Sequence, residues 1–307
     1  MLTELRKNGH DMKNIFRHSL RDLIASLFIA ALLLTAPSHQ AQEAQPQDRF
    51  AKLDAMRVHY QNYGTGKDAL VLVHGWTCDL NFWKMNAATL AKQARVIAID
   101  LPGHGESDKP QIAYTMDLFA RAVDAVLRDA GVDQAVLVGH SMGTPVIRQF
   151  YRLYPNKTRA LVIVDGSLQP FGDPKAMKNL MDLLRGPVYQ AAAGPMVEAM
   201  TRPMKDPALR EEAKAAMLRT QQHVAVSAFD GMLATDIWQR DQIKVPVLAI
   251  HAKQPAWTAE YEQFVRGLIP NLDYQVWDGV SHFLMMDEPQ KFNDAVAAFL
   301  KKNKLVK

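Results

Sequence analysis

Residues 139–143 read GHSMG and hold the side chain best suited to covalent chemistry, Ser141. They follow an apolar run at 135–138 and precede a segment with helical periodicity. A sharp strand-to-helix turn projects a serine hydroxyl at the edge of a sheet, and the flanking glycines leave room for the tight packing of that turn. The backbone N–H of Met142, at the start of the helix, then points to where an oxyanion would form. The pattern predicts that Ser141 is a nucleophile for acyl transfer.

The elements around this segment alternate between strands and helices. The run at 56–63 alternates like a half-buried strand, and short apolar runs typical of strands buried on both faces occur at 70–73, 96–99, 135–138, 161–164 and 247–250. Helical periodicity occurs at 116–130, 145–154 and 289–302. This order predicts an α/β fold with a mostly parallel, doubly wound sheet covered by helices on both faces.

Residues 166–241 depart from this alternation. They carry seven methionines, have helical character and contain no convincing strand. We therefore expect a helical cap at 166–241, inserted into a core made of residues 46–165 and 242–307.

Three further segments follow strands or precede the final helix, namely VHGW at 73–76, DLPGHGES at 100–107 and GVSHF at 279–283. Together with GHSMG, their order resembles the α/β-hydrolase family over residues 50–303. The resemblance implies an oxyanion hole formed by the backbone N–H groups of Trp76 and Met142. It also implies that His282 moves protons to and from the serine.

The carboxylate that should orient the histidine is not in the usual place. In most of the family it follows the strand equivalent to 247–250, but the turn at 252–255 reads AKQP, with proline where the aspartate would stand. A minority of the family, haloalkane dehalogenases among them, carry the acid after the preceding core strand, where this chain has Asp165. The resemblance favours Asp165, with Glu260 and Asp236 as alternatives, although many relatives keep an aspartate there for structural reasons.

Four other histidines, beside the motifs or at a strand end, are expected to have structural roles. The resemblance implies that the motifs of His74 and His104 brace loops around the site, and His140 is expected to be a packing or hydrogen-bonding neighbour of the nucleophile. His251 ends a predicted strand and is expected to be a satisfied residue at the edge of the core.

The expected reaction is hydrolysis of an ester or related acyl bond through an acyl-enzyme. Methionine adapts to irregular apolar shapes, so the cap favours a small, largely apolar substrate, although most of its methionines are expected to bury the cap's own core. Beside the motifs lie aromatic residues that we expect to contact the substrate, namely Trp76, Trp83, Trp257 and Phe283.

The sequence is also compatible with three other functions. Cofactor-free haloperoxidases or perhydrolases, and C–C bond hydrolases, use the same triad on the same fold. Non-catalytic binding proteins keep the fold and lose the triad, and the proline in the 252–255 turn keeps this interpretation open. Enzymes with an aspartate nucleophile are disfavoured because position 141 is serine.

The amino terminus has the layout of a secretory signal. Basic residues precede an apolar run at 23–36, and a polar stretch rich in small residues follows at 37–47. This run is shorter than the roughly 18 residues that a membrane span needs. We expect residues 1–45 to be a signal peptide and polar leader of a periplasmic or secreted protein, the alternative being an uncleaved N-terminal membrane anchor.

Composition narrows the classes of partner. The chain has 307 residues, of which 48% are hydrophobic and 22% charged, as in a globular domain. Its formal net charge of +4 is not gathered in a basic cluster, which argues against nucleic acid. The single Cys78 excludes an intrachain disulfide, and no histidine pair has metal-ligand spacing. We expect a small-molecule substrate, no cofactor and no metal, and the oligomeric state is not predicted.

Overall fold

The computed structural model describes residues 45–306. Within them the chain forms the strands β1 (Gln47–Leu53), β2 (Met56–Tyr63), β3 (Asp68–Val73), β4 (Arg95–Ile99), β5 (Gln134–His140), β6 (Thr158–Val164), β7 (Val247–Ala252) and β8 (Leu272–Trp277). They make one eight-stranded sheet in the order β1-β2-β4-β3-β5-β6-β7-β8. β2 pairs antiparallel with both β1 and β4, and the other neighbours are parallel.

The helices are α1 (Ala87–Leu90), α2 (Met116–Ala130), α3 (Gly143–Leu153), α4 (Pro174–Arg185), α5 (Tyr189–Thr201), α6 (Pro207–Leu218), α7 (Gln222–Leu233), α8 (Ala259–Leu268), α9 (Leu284–Asp287) and α10 (Pro289–Lys302). Local signals set the ends of α2. The Thr115 side chain accepts a hydrogen bond from the N–H of Leu118, and Gly131 ends the helix with φ 64°.

The strand order explains why helices cover both faces of the sheet. The chain moves from β3 to β4 in one direction along the sheet and from β4 through β5 to β8 in the other. Because crossover connections are right-handed, reversing the direction places the connecting helices on opposite faces. The central strands are buried, including the whole of 69–73 and 135–140. The predicted doubly wound, mostly parallel α/β fold is confirmed.

The six predicted strands and three predicted helices are all present, with ends shifted by three residues at most. Two strands were not predicted. β1 exposes its first four residues, and β8 is only partly buried over most of its length. An edge strand has a neighbouring strand on one side only and is less buried than a central strand. Its sequence therefore lacks the continuous apolar run of a central strand.

Between β6 and β7 the structure contains the four helices α4–α7, and no strand lies within residues 166–246. We call this segment the helical insertion. Its end is held to the core by ion pairs from Arg148 and Arg152 of α3 to Asp241, at 2.7 and 2.9 Å. Arg148 is buried, and burial together with the charge of Arg152 lowers its pKa to about 10 despite the attraction of Asp241. The insertion is therefore anchored to the helix that follows Ser141.

The predicted leader, residues 1–45, lies outside the described residues except for its last position. Within residues 45–306, none of the helices has both the length and the apolar character needed to cross a membrane.

Candidate active site

Four segments that the sequence singled out meet at one edge of the sheet. Trp76 follows β3, Ser141 follows β5, Asp165 follows β6 and His282 follows β8. Parallel strands end at the same edge, and ligands of open α/β sheets bind outside these carboxyl ends. All four residues line a single cavity of about 520 Å³.

The turn at Ser141 is tight, as the glycine spacing predicts. Ser141 has φ 52°, a left-handed conformation that is rare for residues other than glycine. A side chain at Gly139 would place its Cβ 2.4 Å from the carbonyl oxygen of Gly143, and one at Gly143 would lie 2.5 Å from the carbonyl oxygen of Val73. Both glycines are therefore needed for the close approach of α3 to β3 and β5.

His282 is hydrogen-bonded to Asp165. Its Nδ1 lies 2.6 Å from the Oδ2 of Asp165, whose side chain is wholly buried, while the imidazole is 21% exposed. The two alternative acids lie elsewhere, since Glu260 is exposed in the first turn of α8 and Asp236 is exposed in a short 3-10 helix at 235–238. The carboxylate beside His282 is thus the one after β6.

The turn that lacks the usual acid surrounds Asp165 with donors. Oδ1 accepts hydrogen bonds from the backbone N–H of Ala252 and from the indole Nε1 of Trp257, both at 2.9 Å. The side-chain amide of Gln254 lies 3.4 Å from Oδ2. The sequence did not predict that Gln254 and Trp257 contact Asp165. The turn at 252–255 lacks an acid of its own, and nothing in its sequence indicated that it supplies donors to an acid from another strand.

The two backbone N–H groups predicted for an oxyanion hole both belong to residues that line the cavity, Trp76 and Met142. Among residues 45–306, neither N–H donates a hydrogen bond. Buried backbone N–H groups without a partner are rare, and a ligand oxygen is one way to satisfy them. The indole of Trp76 donates to the carbonyl oxygen of Ala225 in α7 at 2.8 Å, which ties this loop to the helical insertion.

The cavity is largely apolar and extends between the core and the helical insertion. Among residues 45–306, its only ionisable lining residues are Asp165 and His282, and neither lysine nor arginine lines it. Its apolar wall comprises Trp76, Met142, Pro145, Phe171, Met177, Leu180, Met196, Ala199, Met200, Pro203, Phe229, Met232, Trp238, Ala256 and Trp257. The sequence pointed to Trp76 and Trp257 here, whereas Trp238 was missed because it lies far from every motif in the chain.

Two aromatic residues expected to contact the substrate do not line this cavity. Trp83 is fully buried and packs against His140 and Phe292, with ring centroids 6.4 and 6.0 Å apart. Phe283 is also fully buried and packs against His140 at 5.3 Å. Proximity to a motif in sequence was misleading here, since the Phe283 ring contacts the His282 ring, with centroids 5.3 Å apart, from within the core and not from the cavity wall. The structure corrects both expectations.

The neighbouring histidines are held in place by hydrogen bonds. Nε2 of His140 lies 2.9 Å from the carbonyl oxygen of His282, and burial together with the nearby His282 lowers its pKa well below the usual range. A neutral His140 therefore donates to the loop that carries His282. His74 lies with its Nδ1 2.8 Å from the Gly75 carbonyl oxygen and accepts from the N–H of Leu101 at 3.1 Å.

His251 departs from its expectation. It is buried, but its Nδ1 has no hydrogen-bond partner within the described structure and lies 3.9 Å from Oδ1 of Asp165. Burial lowers its pKa to about 4 against the attraction of Asp165, so the ring is neutral near pH 7. Within the described part of the chain, no group of three or more potential metal ligands is placed to hold a metal ion.

A family model described as "alpha/beta hydrolase fold" matches residues 68–289, which contain all of the segments above. The chain belongs to the α/β-hydrolase fold family. Proteins that resemble it include ones named as esterases and hydrolases. Both the sequence and the fold therefore identify the chain as a hydrolase-type enzyme.

Three relatives illustrate the range of names among similar proteins. One is the dihydrolipoyllysine-residue acetyltransferase component of the acetoin cleaving system of Pseudomonas putida, 28% identical over 92% of this chain and 76% of the relative. A second is a 2-hydroxy-6-oxononadienedioate/2-hydroxy-6-oxononatrienedioate hydrolase of Paraburkholderia phymatum, 28% identical over 80% of this chain and 91% of the relative. A third is a bifunctional esterase/perhydrolase of Acinetobacter calcoaceticus, 26% identical over 81% and 97%.

Among solved structures, an esterase from a Rhodococcus species is similar, with a TM-score of 0.69 and 25% identity. The match covers 85% of this chain and 99% of that one.

Proposed function

We propose that the protein is a serine hydrolase that cleaves an ester or related acyl bond of a small, largely apolar substrate through an acyl-enzyme. Ser141 is the nucleophile, His282 the general base and acid, and Asp165 the residue that orients the imidazole. The observation that carries the proposal is the 2.6 Å contact between His282 and Asp165 at the edge of a cavity that also contains Ser141.

In the proposed reaction the hydroxyl of Ser141 attacks the substrate carbonyl while Nε2 of His282 takes its proton. The N–H groups of Trp76 and Met142 stabilise the negative charge on the carbonyl oxygen. Asp165 keeps the proton on Nδ1, which leaves the Nε2 lone pair free to act as the base. His282 then protonates the leaving alcohol, and a water molecule activated by the same histidine releases the acid.

The charge of the cavity wall supports an uncharged substrate. Since neither lysine nor arginine lines it in the part of the chain that the structure describes, a carboxylate bound there would lose its hydration without gaining a counter-charge, at a cost of several kcal/mol. The name of the Paraburkholderia relative specifies dioate substrates, which carry two carboxylates. The wall of this cavity disfavours that substrate class and favours a neutral acyl group.

Perhydrolase activity is the second candidate, because the name of the Acinetobacter relative includes it and it uses the same acyl-enzyme with hydrogen peroxide in place of water. The non-catalytic alternative loses its main support, since a carboxylate lies beside His282 even though the usual acid position holds Pro255.

A series of p-nitrophenyl esters tests the proposal. We expect hydrolysis of neutral acyl chains, and a kcat/KM for the hexanoate at least about tenfold above that of the half-ester of adipate, whose distal carboxylate meets no cation. Ser141→Ala should lower turnover by roughly a million-fold and abolish labelling by an organophosphonate. Labelling that persists in Ser141→Ala would remove the nucleophile assignment, and equal rates on both esters would remove the substrate class. Peracid formation in hydrogen peroxide would identify the second activity.

A further inference from the structure

We propose that Trp257 is a positioning residue of the active site, whose indole N–H fixes the Asp165 carboxylate and, through it, the imidazole of His282. The inference rests on the proposed function. It assigns to Trp257 a role beyond forming part of the cavity wall.

The carboxylate of Asp165 uses its two oxygens for different purposes. Oδ1 accepts the N–H groups of Ala252 and Trp257, each at 2.9 Å, and Oδ2 lies 2.6 Å from Nδ1 of His282. Rotation of the carboxylate would break the two bonds to Oδ1 and the one to Oδ2 together. The Trp257 indole is one of the two donors to Oδ1, and it is the one that belongs to a side chain. The side-chain amide of Gln254 lies farther away, 3.4 Å from Oδ2.

The indole itself is held in a fixed place. Its ring lies against His251 with centroids 4.2 Å apart and against Tyr261 with centroids 4.9 Å apart. Tyr261 is buried in α8, and His251 is buried at the end of β7. A donor supported by two buried rings loses little further freedom when it binds the carboxylate.

This arrangement compensates for the proline in the turn after β7. The turn carries no acid, but it carries a backbone and a side-chain donor that point at the acid supplied by β6. The loop that in most relatives would provide the carboxylate therefore orients it here.

Trp257→Phe removes the indole N–H and keeps an aromatic ring in its place. Because a hydrogen bond to a charged group is worth more than a neutral one, we expect kcat to fall roughly tenfold while KM changes less than about twofold. Trp277→Phe is the matched control. Trp277 is not among the residues that line the cavity, and its indole donates to the side-chain oxygen of Gln275 at 3.1 Å, so its kcat should stay close to that of the wild type.

Proton NMR gives a readout that does not depend on activity. The Nδ1–H of His282 should give a strongly downfield resonance, identified by its loss in Asp165→Asn, and Trp257→Phe should shift or broaden it while Trp277→Phe leaves it in place. A change in KM alone, with this resonance unmoved, would overturn the proposal and leave Trp257 as part of the wall. Failure of the serine assignment would show instead as residual activity in Ser141→Ala.

A third measurement covers the case in which Trp257→Phe does not fold. The indole N–H resonance of Trp257 should move in Asp165→Asn, because the acceptor loses its charge, while those of Trp76 and Trp238 stay in place. If the Trp257 resonance does not move in Asp165→Asn, the bond to the carboxylate is absent in solution and the inference fails.

Discussion

Two residues at neighbouring strand ends adopt a left-handed backbone without being glycine. Ser141 has φ 52° after β5, and Asp165 has φ 46° after β6. Such conformations cost of order 1–3 kcal/mol each and persist where the surroundings enforce them. Here the N–H of Ser141 donates to the carbonyl oxygen of Val164, and that of Asp165 donates to the carbonyl oxygen of Ile250, at 2.9 and 2.8 Å. The turn geometry therefore fixes where both side chains emerge from the sheet.

At this scale the clearest prediction concerns Asp165→Asn. Ala252 and Trp257 both donate to Oδ1, so the asparagine should keep its oxygen there and turn its NH₂ group toward Nδ1 of His282. The histidine must then carry its proton on Nε2, where it cannot accept the proton of Ser141. We expect kcat to fall roughly ten-thousand-fold with the fold retained.

Steady-state kinetics and a circular dichroism melt would check this expectation. Glu260→Gln and Asp236→Asn, which remove exposed carboxylates away from His282, serve as controls and should change kcat by less than about threefold. If one of these controls lost most of its kcat while Asp165→Asn stayed active, the residue changed in that control would be the acid that orients His282.

At the scale of elements, an ion-pair array joins the first two strands to the loop after β4. His59 of β2 lies between two carboxylates, with Nδ1 2.7 Å from Asp100 and Nε2 3.0 Å from Asp48 of β1. Burial opposes a charge on this ring, but the hydrogen bonds and charges of Asp100 and Asp48 outweigh it and raise the pKa of His59 above its usual value. The protonated ring therefore stabilises the attachment of β1.

The raised pKa gives a pH dependence of defined sign. The stability that His59 contributes is fully present below its unfolded pKa of about 6.5 and is lost as the pH rises through the higher folded value. Comparing urea unfolding of the wild type and His59→Gln, we expect a larger difference in free energy at about pH 6 than at about pH 9. An equal difference at both values would show that His59 does not carry a charge in the folded protein.

The helical insertion is linked to the loop that follows β3 as well as to α3. Besides the Trp76 indole bond to Ala225, the Thr220 hydroxyl donates to the carbonyl oxygen of Thr77 at 3.0 Å. In the proposed enzyme the insertion forms a cap, and these bonds couple the position of the cap to the N–H group of Trp76. Covering the substrate and setting the oxyanion hole would then depend on the same contacts.

For the whole molecule, we propose that the chain is exported and that its amino-terminal leader is removed. A fusion of residues 12–50 to a reporter active only outside the cytoplasm should give signal, and the mature chain should begin between His39 and Gln45. Amino-terminal sequencing of the exported protein would locate the cut. Full-length protein recovered from the membrane fraction would instead indicate an uncleaved anchor.

A cut in this range leaves the sheet complete, because β1 begins at Gln47 and pairs with β2 from its first residue. Protein that starts at Gln45 should therefore fold with all eight strands of the sheet. A chain that starts at Asp54 lacks β1 and the Asp48 partner of His59, and its Tm should be lower by about 5 °C or more.

The sequence by itself determined the fold class, the position of the nucleophile turn and most of the core strands. These features depend on local rules, since a strand buried on both faces must be apolar throughout and a strand-to-helix turn with close packing requires glycine. The GHSMG turn and the strands at 70–73 and 135–138 could therefore be predicted from the sequence alone. The edge strands β1 and β8 did not, because their burial is partial and their pairing is set by neighbours distant in the chain.

Only the tertiary structure decided which acid lies beside His282 and which aromatic residues face the cavity. Asp165 is 117 residues from His282 in the chain, and its orientation depends on donors from a third segment, at Ala252 and Trp257. Trp83 and Phe283 lie next to motifs yet point into the core, whereas Trp238, distant from every motif, lines the cavity. The direction of a side chain follows from the packing of several elements at once, and that information is not contained in any one segment of sequence.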